Sequence, residues 1–155
     1  ERKLHRNFQG YSTRPDCDLL AFGISAIGKV GAAYTANVKT LDEYYDRLDQ
    51  RQFPVLRGIE LSADDLVRRA VIMALMCQGR VEFESIELAH LIRMKEYFAS
   101  ELQRLAPLVE QGLVEVDEAS IQVTALGWYF VRGVALVFDR YLQADQVRTR
   151  FSRII

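Results

Sequence analysis

The amino-acid sequence predicts an α+β chain that is mostly helical, with a glycine-rich first part and a winged-helix-like second part. Three observations predict this class. Apolar residues recur at helical spacing through long stretches of the second part. Two short runs near its end alternate apolar and polar residues, as strands do, whereas glycines interrupt the apolar runs of the first part. The 155 residues suffice for one ordinary domain, or for a small domain with a fragment of another.

The first part, residues 1–57, predicts one strand and one helix. Residues 18–24 form a short apolar run bounded by glycine, which is typical of a buried strand. Because few partner strands are evident and an isolated strand is marginal in water, we expect a sheet supplied from elsewhere to complete it. Residues 40–50 predict a surface helix, with Thr40 as its N-cap and Glu43 completing a capping box.

The second part, residues 58–142, begins with a predicted helix and a short strand. Ser62 can cap the helix, and Gly79 ends it. The strand is expected near residues 81–83, before a short helix near 85–91.

A longer helix over about residues 95–111 follows, and then two short strands at 113–116 and 121–123. Thr124 begins a final helix that is expected to reach about residue 142. This order of helix, strand, helix, helix, hairpin and helix is typical of a winged-helix-like module. Residues 143–155 form a tail with an apolar end.

Charge, the length of the apolar runs and the spacing of the cysteines exclude several classes of function. The formal net charge is −1, which gives no bulk attraction to nucleic acid or to anionic membranes. The apolar runs are too short to span a bilayer, and no signal-like region opens the chain. Cys17 and Cys77 lie outside any metal-binding spacing, so we expect two free, buried thiols in a reducing compartment, and a cytoplasmic protein.

A winged-helix shape raises the alternative of a stand-alone DNA-binding or interaction module. The helix expected to enter a groove, residues 95–111, carries Lys95 and Arg104 against Glu96, Glu101 and Glu110. Its net charge is therefore negative, and it would repel phosphates. The charge pattern favours a packing role for this helix and predicts no nucleic-acid partner.

Short motifs provide no complete catalytic or metal site. Residues 23–30 nearly spell a phosphate-binding loop, but Val30 stands where a hydroxyl is needed for magnesium, which leaves only a glycine-rich turn. His5 and His90 lack metal-ligand spacing. The aromatic clusters at residues 44–45 and 128–130 predict core packing.

Residues 5–13, His-Arg-Asn-Phe-Gln-Gly-Tyr-Ser-Thr, resemble the oxygen-independent coproporphyrinogen III oxidase family, radical S-adenosylmethionine (SAM) enzymes. The resemblance continues in order through most of the chain, at residues 18–27, 57–61, 105–108, 112–114, 121–124, 138–142 and 151–155. The chain begins at Glu1 rather than Met, and we expect it to be the C-terminal part of a longer polypeptide.

The resemblance implies that the complete protein converts coproporphyrinogen III to protoporphyrinogen IX by oxidative decarboxylation of two propionates to vinyls. A 5′-deoxyadenosyl radical, formed from S-adenosyl-L-methionine at a [4Fe–4S] cluster, would start the reaction. The family's CxxxCxxC cluster motif is absent here, and two cysteines cannot replace three ligands. We therefore expect an N-terminal radical SAM domain of the same polypeptide to hold the cluster, and this segment alone to be inactive.

The resemblance also implies an architecture and a site. Residues 1–57 would be the terminal segment of a partial (β/α) barrel and its connecting helix, and residues 58–142 a C-terminal domain. The family's SAM contacts carry over onto Phe8, Gln9 and Ile27, although their spacing alone favours barrel core. No catalytic or metal-ligating residue is expected in this segment.

The full-length enzyme is expected to be a monomer without a membrane partner. The chain departs from the family in the apolar residues at 125–130. The radical SAM haem chaperones are an alternative within the same architecture. Their usual Tyr-Trp pair is absent after Tyr11, and stoichiometric haem binding without decarboxylation would favour them.

Overall fold

A computed structural model describes residues 5–7, 10–13 and 17–142. In the first part, β1 and β2 pair as an antiparallel hairpin, and β4 lies between β3 and β5 in an antiparallel three-stranded sheet. The elements of this part are β1 (His5–Asn7), β2 (Gly10–Ser12), β3 (Ile27–Val30), β4 (Ala33–Asn37), α1 (Leu41–Asp49) and β5 (Val55–Glu60).

The second part is predominantly helical and carries its own antiparallel sheet, in which β8 lies between β6 and β7. From α2 to β8 the order of elements is the predicted one, except that two helices, α4 and α5, stand where one was expected. The elements are α2 (Ala63–Gln78), β6 (Arg80–Glu82), α3 (Phe83–His90), α4 (Met94–Tyr97), α5 (Ala99–Glu110), β7 (Val114–Val116), β8 (Ser120–Val123), a 3₁₀ helix (Gly127–Phe130) and α6 (Val131–Leu136).

Local chemistry sets the ends of α2, as predicted. Ser62 and Asp65 form a reciprocal capping box at its first turn. Gly79 ends the helix in the left-handed conformation, with φ of 68°. A Cβ at Gly79 would lie 2.8 Å from the ring of Trp128, so both the backbone angle and the packing require glycine here.

One hydrophobic core serves the second part. Phe98 and Phe138 are fully buried and pack edge to face, with ring centroids 5.3 Å apart. The long predicted helix is divided at Phe98, whose φ of −106° and ψ of 26° are not helical, into α4 and α5. The cluster of buried residues runs from Val67 to Phe138 and draws on every helix from α2 to α6.

The first part has almost no core of its own. Among its described residues, Val38 and Pro54 are the only buried apolar side chains. The buried strand predicted at residues 18–24 is wrong: Leu20 and Phe22 are exposed, and a single bridge joins Leu19 to Lys29. Positive φ angles at Gly23, within this run, and at Ser25, just after it, turn the backbone out of an extended conformation.

The strand partners of the first part come from within the chain, contrary to the prediction. Strands β4 and β5 were not expected, because their short runs do not alternate strongly enough to stand out in the sequence. Thr40 caps α1 as predicted, although the Glu43 carboxylate accepts from the Thr40 hydroxyl rather than from its backbone. Strand β5 crosses the boundary expected after residue 57; the division into 1–57, 58–142 and 143–155 stays a prediction.

Other predictions need correction. The helix expected from Thr124 to residue 142 is a 3₁₀ turn followed by α6, which ends at Leu136. Tyr45 and the aromatic run at 128–130 are exposed rather than core. Cys17 is exposed and Cys77 half-buried. The tail lies outside the described residues, and among the described helices none is long and apolar enough to cross a membrane.

A candidate ligand cavity between the two parts

A cavity of about 820 Å³ separates the sheet-containing first part from helices α2 and α6. Its size is in the range of small-molecule sites. The first part contributes residues from β1, β2, β3 and β4, and the second part contributes one face of α2, the end of α6 and the segment that follows α6. The site is thus assembled from elements up to 136 positions apart, from His5 to Tyr141.

The floor of the cavity is apolar. Ile72, Met73 and Met76 project from α2, and Leu136 comes from α6. Leu19 reaches the cavity from the irregular segment that bridges to β3. Flexible methionine side chains adapt to an irregular apolar ligand surface, so this floor suits flat or bulky carbon groups.

The charged groups of the cavity are mainly cationic. Five lysine and arginine side chains line it against three aspartates, an excess of two positive charges in a chain whose formal charge is −1. The cations are Lys29, Arg68, Arg69, Arg132 and Arg140, and the acids are Asp18, Asp65 and Asp139. This excess favours an anionic ligand.

Two of these cations are held in an ion-pair network. Arg68 contacts Asp64 and the buried Glu101, each at 2.9 Å, and its guanidinium lies over the ring of Phe98. Arg140 pairs with Asp64 at 2.7 Å and with Asp65 at 3.0 Å. These contacts tie α2, α5 and the segment after α6 together, so Arg68 and Arg140 have a structural role.

The network shifts the pKa of its carboxyl groups. Burial raises the pKa of Asp64, but hydrogen bonds from Tyr97 and Arg68 outweigh it, and the pKa lies below its ordinary value. The pKa of Glu101 is lowered in the same way, with burial opposed by the hydrogen bond from Arg68. Both groups are therefore charged at neutral pH and hold the network together.

Arg69 lines the cavity and contacts the sheet of the first part. Its Nε donates to the Tyr34 hydroxyl at 2.9 Å, which joins α2 to β4. Tyr34 lies directly opposite Lys29 in the β3–β4 register, so both side chains project from one face of the sheet. Lys29 is only 8% exposed. Arg132 is exposed on α6 and has no hydrogen bond or ion pair with another residue in the described part of the chain.

Of the predicted site residues, Ile27 is described by the structure but is not one of the residues that line this cavity. Ile27 lies two positions before Lys29 on β3, and alternation along the strand places both on the same face. Phe8 and Gln9 fall outside the described residues, whereas His5 and Ser12, paired across the β1–β2 hairpin, line the cavity. The glycine-rich run at 23–30 leads into strand β3 rather than into a helix, so it has no phosphate-binding-loop geometry.

The residues fit the two expected cofactors differently. An iron–sulfur cluster does not fit, because the chain has two cysteines and the described residues contain no group of three potential metal ligands. A SAM molecule fits the chemistry of the cavity, whose apolar floor suits adenine and whose cations suit the methionyl carboxylate.

Comparison with known proteins gives the same assignment as the sequence motifs. Residues 61–130 match the family model described as HemN C-terminal domain. Oxygen-independent coproporphyrinogen III oxidases of Salmonella typhimurium and Escherichia coli are 46% and 45% identical over 155 residues, all of this chain and 34% of each relative. The chain is therefore similar, over its whole length, to one part of the oxygen-independent coproporphyrinogen III oxidases. It spans about a third of the length of these relatives, at their C-terminal end.

A solved structure supports the family at the level of the fold. Coproporphyrinogen III oxidase (HemN) from E. coli, described as a radical SAM enzyme, matches with a TM-score of 0.87 and 46% identity. The match covers 90% of this chain and 32% of the E. coli chain. The mixed α/β architecture described above is therefore that of a region of a radical SAM enzyme.

The sequence did not indicate the cationic residues of the cavity. Arg69 and Arg132 lie in ordinary amphipathic helices, where charged residues usually face solvent. The one available signal was the adjacent pair Arg68-Arg69 beside the apolar face of α2, since neighbouring helical positions point in directions about 100° apart. Only the packing of α2 against β4 shows that Arg69 contacts Tyr34.

Proposed function

We propose that this chain is the C-terminal part of an enzyme that oxidatively decarboxylates two propionates of coproporphyrinogen III to the vinyls of protoporphyrinogen IX. The observation that carries the proposal is the match of the entire chain to oxygen-independent coproporphyrinogen III oxidases at 46% identity. The cavity between the two parts supports it, because a floor of methionine and isoleucine beside cationic groups suits a tetrapyrrole that bears carboxylates.

Within that enzyme, this segment would supply contacts to S-adenosyl-L-methionine and cover on the substrate side. The proposed SAM contacts are Phe8, Gln9 and Ile27. The place of Ile27 on the cavity-facing side of β3 supports its assignment. When bound to a reduced [4Fe–4S] cluster, SAM supplies the radical that starts the reaction; the cluster ligands would come from the N-terminal radical SAM domain of the same polypeptide.

The two parts of this chain would have different roles in the complete enzyme. We infer that residues 1–57 are the terminal segment of a partial (β/α) barrel with its connecting helix. Because the strands of such a barrel run parallel and β3, β4 and β5 are antiparallel, this sheet would adjoin the barrel rather than continue its strands. The rest of the barrel would cover apolar side chains that the first part exposes. The second part would be a winged-helix-like module used for packing. Glu101 of α5 supports that use, because it is 4% exposed and turned toward Arg68 rather than toward a groove.

The test requires the complete polypeptide in which this chain is encoded. After anaerobic reconstitution with iron and sulfide, and with SAM, a low-potential reductant and an electron acceptor supplied, it should convert coproporphyrinogen III to protoporphyrinogen IX with release of two carbon dioxide molecules. Absence of a CxxxCxxC motif from the reading frame would contradict the proposal. So would stoichiometric haem binding without any decarboxylation.

The SAM contact at Ile27 has a matched control on the same strand. In the complete protein, Ile27→Ala should weaken SAM binding measured by calorimetry by about tenfold, since it removes an apolar contact from the ligand. Val30→Ala changes a residue three positions along β3, on the opposite sheet face, and should leave the affinity unchanged. Equal effects of the two substitutions would contradict this role for Ile27.

A further inference from the structure

The cationic end of the cavity is a candidate binding site that neither the family's SAM residues nor the sequence motifs indicate. Arg69, Tyr34 and Lys29 converge there from α2, β4 and β3. The three elements belong to the two different parts of the molecule. A ligand bound at this point would therefore contact both parts at once.

The Arg69–Tyr34 contact gives the site a defined geometry. A guanidinium binds a carboxylate through two parallel N–H groups, and this fork works only when its plane is fixed. The hydrogen bond from Nε of Arg69 to the Tyr34 hydroxyl, at 2.9 Å, fixes that plane at the cavity wall. Tyr34 is thus a positioning residue, and Arg69 is the residue that would meet the ligand.

The surroundings add positive charge. Lys29, 8% exposed, projects beside Tyr34 from the neighbouring strand. Arg132 lines the cavity from α6 and has no polar partner among the residues that the structure describes. The three lining aspartates already accept hydrogen bonds within the protein: Asp18 from the amide of Gly31, Asp65 from Ser62, and Asp139 from the amides of Tyr141 and Leu142.

From this geometry we propose that Arg69, oriented by Tyr34 and assisted by Lys29 and Arg132, binds a carboxylate of a ligand seated on the apolar floor of the cavity. The inference rests on the proposed function, which offers two sources of that carboxylate: a propionate of the tetrapyrrole and the methionyl carboxylate of SAM. Both have the same chemistry at the guanidinium, so binding measurements must separate them.

The experiment measures the affinity of the complete protein for each source. Coproporphyrin III, the stable oxidised tetracarboxylate, is titrated by fluorescence, and SAM by calorimetry. Arg69→Gln should weaken the binding of one of the two ligands by about tenfold or more, because it removes a charge-assisted pair. Arg69→Lys, which keeps the charge but not the fork, should weaken that same ligand by less.

Control variants distinguish a direct loss of ligand binding from a loss of folded protein. Arg93→Gln removes an arginine from an exposed ion pair with Glu96, away from this cavity, and should leave both affinities unchanged. Tyr34→Phe removes the acceptor that orients Arg69 and should raise the dissociation constant of the same ligand as Arg69→Gln, by a smaller factor. Arg132→Gln, at an exposed position, provides a test in which misfolding is not expected.

The outcomes are distinct. Unchanged affinities for both ligands in folded Arg69→Gln and Arg132→Gln variants would overturn the inference. If the tetramethyl ester of coproporphyrin III bound the wild-type protein as tightly as the free acid, the propionate source would be excluded. If Arg69→Gln weakens the binding of one of the two ligands but the wild-type protein does not decarboxylate coproporphyrinogen III, the proposed function would be contradicted and the binding site would stand.

Discussion

The two parts of the molecule differ in how they bury their apolar residues. From Val67 to Phe138, sixteen side chains form one continuous buried cluster. In the described residues before Leu61, Val38 and Pro54 are the only buried apolar side chains, while Phe22 and Phe53 are more than 80% exposed. Both parts form hydrogen-bonded elements, but only the second encloses a core. Hydrogen bonding alone therefore does not make a segment self-sufficient, because most of the stabilisation comes from apolar area removed from water.

The largest difference in stability between the two parts is expected when one phenylalanine in each part is replaced by alanine. Phe98→Ala should lower the free energy of unfolding by about 4 kcal/mol, because it leaves a cavity in the core. Phe53→Ala, at a side chain 88% exposed, should change it by less than about 0.5 kcal/mol. Urea unfolding followed by circular dichroism measures both. Similar losses at the two positions would mean that the first part has a core of its own.

A second test concerns the ion pairs that connect α2, α5 and the segment after α6 in the second part. Arg68→Met should cost about 3 kcal/mol, because it leaves the buried Glu101 without its Arg68 partner in a poorly solvated position. Arg93→Met, in an exposed pair with Glu96, should cost less than about 0.5 kcal/mol. The same urea titrations provide the comparison. A loss near zero for Arg68→Met would show that the network contributes no stability.

Hydrogen exchange compares the two sheets directly. Amides of β4, the central strand of the first sheet, should exchange at least about tenfold faster than those of β8, the central strand of the second. The reason is that β8 lies against the buried cluster, whereas β4 can open without exposing a core. Mass spectrometry of peptic fragments resolves the two strands. Equal protection would indicate one cooperative unit.

The effect of pH on the free energy of unfolding should be smaller than the effects of these substitutions. It should come from the ion-pair network of Arg68 and Arg140. The pKa values of Asp64, Asp65 and Glu101 are lowered in the folded state, since hydrogen bonds and arginine charges outweigh burial. Groups with depressed pKa values stabilise the fold above their unfolded values, near pH 4, and this contribution is lost as the pH falls through the folded values.

The free energy of unfolding should therefore decrease between pH 5 and pH 3, with a slope of up to about 1.4 kcal/mol per pH unit for each proton taken up. The Arg68→Met variant should show a shallower decrease, because Asp64 and Glu101 have lost a partner. A parallel pH dependence in the variant and the wild type would exclude this network as its cause.

The accuracy of sequence-based prediction follows the same division between the two parts. The ends of α1 and α2 were predicted correctly, because Thr40, Ser62 and Gly79 act on residues within one helical turn. Residues 18–24 were predicted wrongly. Their apolar character resembles that of a buried strand, but the described residues contain nothing that covers Leu20 or Phe22.

The residues of the candidate site also fall into two groups, those assigned from the sequence and those that only the structure shows. The assignment of Ile27 rests on a resemblance between sequences and stays a prediction, as do those of Phe8 and Gln9. Arg69 could not be assigned from the sequence, because its contact with Tyr34 spans 35 residues. Long-range contacts of this kind depend on how helices and sheets pack, and a single sequence carries no direct record of them.

The sequence by itself determined the resemblance to oxygen-independent coproporphyrinogen III oxidases, the helix caps and, apart from the division of one helix, the order of elements from α2 to β8, since motifs and caps are local in the chain. Tertiary structure alone decided that β3 pairs with β4, that Phe98 divides a helix, and that cations from α2, α6 and β3 line one cavity. The physical reason is that burial and electrostatic environment belong to the packed molecule. A residue acquires them only when distant segments come together.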